Sequence, residues 1–144
     1  MVVVNWTGGL AFEAVPPSGN KFTIDAHPAA GGENKGPTPV EALLSSIAAC
    51  SAMDVLTILQ KKRMIVRGYR IEVEGVRVPE GTWPRPFTSM VIRHILLGDN
   101  LDPRAVEHAV ELSDEKYCSV LATLRQSPEV KSEWRIENSA STGQ

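Results

Sequence analysis

The sequence predicts an α+β fold, with an antiparallel sheet wrapped around one long central helix in a single domain. Strand-like and helix-like segments come in blocks: three strands, a long helix, two strands, two helices and a last strand. This order is typical of α+β rather than alternating α/β proteins. The long helical segment is apolar on nearly every face, which favours a position in the core. The 144 residues fit one domain over residues 1–138, followed by a polar tail at 139–144.

Three short strands are predicted before the helix. Residues 2–6 and 11–15 flank Thr7-Gly8-Gly9, a turn sequence suited to a hairpin. Residues 21–25 form the third strand after a Pro-, Ser- and Gly-containing turn. The next segment, 26–37, is rich in Gly, Pro and Ala and is predicted to be a loop.

The long helix has a complete start signal. Thr38 can cap it, with Pro39 at the first helical position and Glu41 as the capping-box partner. It should continue to about Lys62, near a run of cations suited to a helix C-terminus. A chain of this size cannot cover such an apolar helix alone, so we expect a homodimer with the helix buried at its centre.

The second half predicts a hairpin, two helices and a strand. Apolar residues alternate over 66–78, and 87–97 returns as the partner strand after a proline-rich turn. Asp102 can cap the next helix, and a third helix is predicted to begin at Ser113. Residues 133–137 are predicted to form the final strand.

Composition argues against several classes of partner and cofactor. A formal charge of −2 gives no reason to expect nucleic acid or an anionic membrane. The apolar stretch 42–59 contains Asp54 and three serines, which favours a buried helix over a membrane span. No signal peptide is recognised, so we expect a cytoplasmic, reducing location. The histidines lack ligand-like spacing, and His94 beside Arg93 is predicted to lie on a solvated face. No metal or other cofactor is predicted.

Chemistry concentrates on the only two cysteines, Cys50 in the long helix and Cys118 in the predicted third helix. A cysteine is a nucleophile as its thiolate, although buried cysteines often only pack. Asp54 lies one helical turn after Cys50 and would raise a thiol pKa, so it either faces elsewhere or is paired. Glu41 lies nine residues before Cys50, about half a revolution away in a straight helix.

The segments 39–55 and 113–120 resemble the OsmC/Ohr superfamily, and the resemblance runs from about Trp6 to Ile136. It implies the OsmC-like fold, an intertwined homodimer, and thiol-dependent reduction of organic hydroperoxides in oxidative stress defence. Cys50 would attack the peroxide and Cys118 would resolve the product as a disulfide, which a dithiol reductant would reduce. Glu41 is the third candidate catalytic residue.

The sequence departs from the family pattern at the groups that hold the thiolate. Peroxidatic members place a Pro-Glu pair before the cysteine, whereas here Val40 follows Pro39 and Glu41 is one position late. Those members also bring in an arginine from the N-terminal strands, whereas the first arginine here is Arg63. Lys21 or Lys35 could substitute for it as a point charge. The alternative hypothesis is therefore a dimeric protein that binds small apolar ligands and turns over peroxide slowly or not at all.

Overall fold

The computed structural model describes residues 1–136 and confirms the α+β class. Three strands precede a long helix, a two-stranded hairpin and two shorter helices. In chain order the elements are β1 Val3–Gly8, β2 Ala11–Val15, β3 Phe22–Ile24, α1 Pro39–Lys61, β4 Ile65–Arg77, β5 Phe87–Asp99, α2 Pro103–Leu112 and α3 Ser119–Gln126. A single 3₁₀ turn, Pro28–Ala30, precedes α1, and a π turn, Ser113–Tyr117, joins α2 to α3.

Strands β1, β2 and β3 form an antiparallel sheet with one apolar face. Trp6 is paired with Phe12, which is paired in turn with Ile24, and Ala14 is paired with Phe22. Because side chains alternate between faces, these residues share one side of the sheet. Trp6 is 68% exposed and Phe22 48% exposed. Within the described chain, the substantial packing contacts of this sheet are between its own strands, so its apolar face stays largely uncovered.

The loop between β3 and α1 is organised around one buried carboxylate. Asp25 is 2% exposed and accepts hydrogen bonds from the backbone N–H groups of Ala26, Glu33 and Lys35. These bonds hold the pKa of Asp25 below its ordinary value, with the Lys35 N–H as the largest cause. Gly32 allows the loop to close, since a Cβ there would lie 1.7 Å from the carbonyl oxygen of Ala26.

Helix α1 begins with the predicted capping box. The Thr38 hydroxyl accepts from the Glu41 N–H, and the Glu41 carboxylate accepts from the Thr38 N–H at 2.8 Å. In the core, Val55 and Leu59 of α1 pack against Ala105 and Ala109 of α2, with β4 and β5 side chains around them.

One chain buries only one side of α1. The buried positions of the helix are Ile47, Ala48, Ser51, Val55 and Leu59. The predicted burial on nearly every face is therefore not met within a single chain, because β4, β5, α2 and α3 all lie against the same side. By length and composition alone α1 could cross a membrane, a test that the core helix of a soluble protein also passes.

Two predicted elements are wrong. The third helix begins at Ser119 rather than Ser113, because the chain makes a π turn between them. Residues 133–136 form no strand, and Glu137 and the predicted tail lie outside the described residues. Trp134 and Ile136 are 86% and 79% exposed, and no strand of the described chain pairs with this segment. Its alternating pattern therefore has no sheet to join within one chain.

Asp25→Asn should destabilise the protein in a pH-dependent way. Since folding lowers the pKa of Asp25 from 3.8, its contribution is full above that value and is lost as pH falls through the folded pKa. Urea unfolding should therefore show a difference in the free energy of unfolding between wild type and variant. This difference should be constant above about pH 5 and should become smaller in acid. Glu80→Gln, at a side chain that is 91% exposed, is the control. A difference in unfolding free energy that does not change with pH would contradict the stabilising role of the ionised Asp25 in the loop.

Candidate functional site

The structure brings the two cysteines together. Cys50 lies in the middle of α1, and Cys118 lies between the π turn and α3. Their Sγ atoms and a carboxylate oxygen of Asp54 all lie within 4.8 Å of one another. Both cysteines are free thiols in this structure. The two sulfurs are thus close enough for small movements to join them.

The π turn sets the position of Cys118. The N–H of Cys118 donates to the carbonyl oxygen of Ser113 at 2.9 Å, which closes the wide turn. Cys118 then takes an extended conformation and becomes the N-cap of α3. The prediction that Cys118 lies inside the third helix is therefore wrong. Wide π turns of this kind are frequent at functional sites.

Burial controls the electrostatics of Cys118. The residue is 3% exposed, and this burial is the largest cause that raises its pKa above the ordinary value. Its interaction with Cys50 and the charge of Asp54 raise the pKa further, whereas a hydrogen bond from the Leu121 N–H opposes them. Cys118 therefore remains a protonated thiol at neutral pH. Cys50 is only partly buried and is the more accessible of the two.

Asp54 both faces the sulfurs and is paired. Its Oδ2 accepts a hydrogen bond from the Ser113 hydroxyl at 3.2 Å. The Ser113 oxygen also lies 3.2 Å from that of Ser51, and both serines are fully buried. Sequence reasoning gave these serines no role. The available signal was that Ser51, a polar residue, comes directly after Cys50 and one helical turn after the apolar Ile47.

His94 is also part of this polar cluster. Its Nε2 lies 3.4 Å from the Ser51 oxygen, and its Nδ1 lies 2.5 Å from the Tyr69 hydroxyl oxygen. The prediction that His94 lies on a solvated face is therefore wrong, because its side of β5 packs toward α1. Arg93 points the other way and pairs with Glu74.

The three other charged side chains predicted for the site bond to residues near them in the same chain. The Glu41 side chain caps α1, and nine residues of helix separate it from Cys50, a rise of about 13 Å. Lys21 pairs with Glu13 at 3.1 Å, and Lys35 pairs with Glu33 at 2.6 Å. Within one described chain, these three side chains have local partners, and the catalytic role of Glu41 stays a prediction.

Two clefts flank the cysteine region. The larger, about 650 Å³, lies between α1, β5 and α3 and is lined mainly by apolar residues that include Leu43, Ile47, Phe87, Met90, Ile92 and Leu121. Ile47 is one helical turn before Cys50, and Leu121 is the residue whose N–H bonds the Cys118 sulfur. The second cleft, about 390 Å³, is lined by Asp54, Lys61, Lys62 and Tyr117 among others.

The same three side chains are also chemically able to hold a metal. Cysteine sulfur and carboxylate oxygen are atoms that bind Zn²⁺ in proteins, and Cys50, Asp54 and Cys118 present them within 4.8 Å of one another. A metal there would occupy both sulfurs, so metal binding and thiol oxidation would compete.

The two thiols should react with an aromatic disulfide reagent in two separate phases. Cys50 should react with the reagent first, and Cys118 should release the second equivalent of reagent thiol more slowly, because Cys118 is 3% exposed and its pKa is raised. Absorbance measured at neutral pH on chelator-treated protein gives both rates. Cys118→Ser should retain the fast phase and Cys50→Ser should lose it. A fast phase that survives in Cys50→Ser would reverse the order of reactivity.

Comparisons with known proteins show which family shares this sequence and fold. The family model described as OsmC-like protein matches residues 32–133. Protein YhfA of Escherichia coli strain K12 is 35% identical over 133 residues, which are 92% of this chain and 95% of YhfA. The crystal structure of a hypothetical protein from Aquifex aeolicus VF5 is 34% identical, with a TM-score of 0.74 and 95% of each chain covered.

The structural likeness extends to more distant proteins. A protein from Legionella pneumophila described as the organic hydroperoxide resistance protein OsmC has a TM-score of 0.62 at 16% identity. The match covers 88% of this chain and 90% of that one, and at this identity it shows a shared fold. Together with the family match over most of the chain, these comparisons show that the protein belongs to the OsmC-like family.

Proposed function

We propose that this protein is a thiol-dependent hydroperoxide reductase in which Cys50 is the peroxidatic and Cys118 the resolving cysteine. The observation that carries the proposal is the approach of the two sulfurs within 4.8 Å in a chain of the OsmC-like family. Family relatives described as hydroperoxide resistance proteins support the choice of substrate class.

The reaction is a two-electron oxidation of the cysteine pair. The Cys50 sulfur attacks the terminal oxygen of a hydroperoxide, the O–O bond breaks, and the leaving alkoxide takes the thiol proton to become an alcohol. Cys50 is then a sulfenic acid. The Cys118 thiol attacks it, forms the disulfide and releases water. A dithiol reductant returns the two thiols and is itself oxidised to a disulfide.

The unequal environments of the two cysteines support these roles. Cys50 is partly buried and open to a substrate, whereas Cys118 is almost fully buried with a raised pKa. A protected thiol is suited to react only with a sulfenic acid formed beside it. The apolar lining of the larger cleft favours an organic hydroperoxide over hydrogen peroxide, because burial of apolar substrate surface contributes binding free energy.

The functional unit is a homodimer. The exposed apolar face of the N-terminal sheet and the exposed side of α1 are two surfaces that a second copy can cover. Large contiguous apolar surfaces of this kind are typical of protein interfaces. A cytoplasmic location would supply the dithiol reductant.

The second candidate function is binding of a small apolar ligand by the same dimer. The observation that favours it is the local pairing of Lys21 and Lys35, since no arginine precedes Arg63 to hold a thiolate. In this case the larger cleft, whose lining residue Ile47 is one helical turn from Cys50, would bind a ligand without rapid chemistry.

Cys50→Ser should abolish peroxide consumption, whereas Cys118→Ser should complete one turnover and then stop. Without Cys50 no sulfenic acid forms, and without Cys118 it forms but is not resolved. Stopped-flow oxidation by cumene hydroperoxide and by hydrogen peroxide measures both the rate and the preference. We expect a slow, Cys50-dependent rate, since a missing charged contact typically costs roughly 10² to 10³ in rate.

Equal single-turnover rates in wild type and Cys50→Ser would eliminate the peroxidase and leave ligand binding. The oxidised wild type should contain an intramolecular Cys50–Cys118 disulfide, detectable by mass spectrometry of non-reduced peptides. Lys21→Ala and Lys35→Ala test whether either lysine supports the rate.

Light scattering should give about twice the 15.7 kDa mass of one chain at micromolar concentration. Trp6→Glu should weaken the dimer, because it places a charge on the apolar face of the N-terminal sheet. Asn5→Glu, on the opposite face of the same strand, is the matched control and should leave the dimer intact. A monomeric wild type would rule out the intertwined assembly.

A further inference from the structure

A continuous chain of polar side chains runs from β4 to the cysteine pair. Tyr69 contacts His94 at 2.5 Å, His94 contacts Ser51 at 3.4 Å, and Ser51 contacts Ser113 at 3.2 Å. Ser113 contacts Asp54 at 3.2 Å, and Asp54 lies within 4.8 Å of both sulfurs. The five residues come from β4, β5, α1 and the π turn. Four separate elements thus contribute to one path, in which Ser51 and Ser113 are fully buried and the other three residues are partly buried.

The donors and acceptors along this path can be assigned by elimination. A serine hydroxyl carries one proton, and the Ser113 proton is used on the Asp54 carboxylate. Ser113 must therefore accept from Ser51, whose own proton is then used. Ser51 must in turn accept from the Nε2–H of His94. These steps fix the protonated nitrogen of His94.

The remaining link follows from the neutral form of His94. Burial lowers the pKa of His94 below its ordinary 6.5, and the charge of Asp114 offsets this only in part. A neutral imidazole with a proton on Nε2 has an acceptor at Nδ1, so the Tyr69 hydroxyl donates to it. Burial also raises the pKa of Tyr69 to about 12, which keeps its proton in place. All the hydrogen bonds therefore point in one direction, toward Asp54.

We propose that this one-way hydrogen-bond chain positions Asp54 as the proton acceptor for the cysteine pair, which makes Asp54 a further catalytic residue. Tyr69, His94, Ser51 and Ser113 act as positioning residues. The proposal deepens the proposed peroxidase function and rests on it for the first of the two steps that follow.

Asp54 can move one proton in each step without any outside acid or base. It takes the Cys50 proton as sulfur attacks the peroxide, then gives it to the leaving alkoxide. In the second step it takes the Cys118 proton as that sulfur attacks the sulfenic acid, and the leaving hydroxide becomes water. Each attack releases a thiol proton that needs an acceptor, and the Asp54 carboxylate lies within 4.8 Å of both sulfurs.

The direction of the chain can be read from the ring of His94 by NMR. Two-bond ¹H–¹⁵N spectra at pH 7.5 should show a neutral ring protonated on Nε2 only. Tyr69→Phe removes one hydroxyl but leaves the Ser51 acceptor in place, so the ring should stay protonated on Nε2 only. A wild-type ring protonated on Nδ1, or on both nitrogens, would overturn the assigned direction. This measurement does not depend on enzymatic activity.

The role of Asp54 is tested by the resolving step alone. Cys50 is loaded as a mixed disulfide with glutathione, and release of glutathione is followed as Cys118 attacks. Asp54→Asn should slow this release by about 10²-fold, the lower end for general base catalysis. Ser113→Ala should slow it by roughly tenfold, because the carboxylate loses its donor. Asp114→Asn is the control, because Asp114 is a nearby charge that takes no part in the hydrogen-bond chain. It should leave the rate of glutathione release within about twofold of wild type.

The opposite result has a clear meaning. If Asp54 acts only as a negative charge beside Cys118, its removal lowers the pKa of Cys118 and Asp54→Asn releases glutathione faster than wild type. Either that acceleration or an unchanged rate would overturn the proposal. Failure of the proposed peroxidase would instead show as an absence of Cys50 oxidation by peroxide in the wild type, with glutathione release still dependent on Asp54.

Discussion

The site depends on the need to satisfy two buried hydroxyl groups. Ser51 on α1 and Ser113 at the start of the π turn are fully buried, and each would be destabilising without a partner. They contact each other at 3.2 Å, which fixes the π turn against the middle of α1. Because Cys50 precedes Ser51 and Cys118 ends the turn that Ser113 begins, this contact also places the two sulfurs side by side.

Local signals in the sequence were sufficient for most of the fold. The capping box at Thr38 and Glu41 and the period-two pattern of the long hairpin depend on neighbouring residues, and the structure contains both. The resemblance to the OsmC/Ohr superfamily, carried by the two cysteine segments, is confirmed by the family match.

The remaining features depend on contacts between distant segments. The π turn at Ser113 reads as ordinary helix locally, and its carbonyl bonds the N–H of Cys118 only because the turn packs against α1. His94 was predicted to be exposed because it follows Arg93 in the strand. It is partly covered because α1 packs against its side of β5. Residues 133–136 have a strand pattern without a neighbouring strand in one chain. Periodic patterns along the sequence do not show which distant segment each of these residues will contact.

Closure of the site by a second copy would make an internal proton acceptor necessary, and the hydrogen-bond chain positions one. In the proposed dimer a second copy would cover the exposed side of α1 and exclude water from the region around Cys50. A proton released from a thiol would then have no solvent to accept it, and an uncompensated charge would be costly in that environment. In the proposal, Asp54 accepts this proton within the protein. The hydrogen-bond chain holds Asp54 in place through Ser113, Ser51, His94 and Tyr69. The family's arginine would stabilise a thiolate formed in advance, whereas Asp54 would accept the proton of Cys118 only as its sulfur reacts.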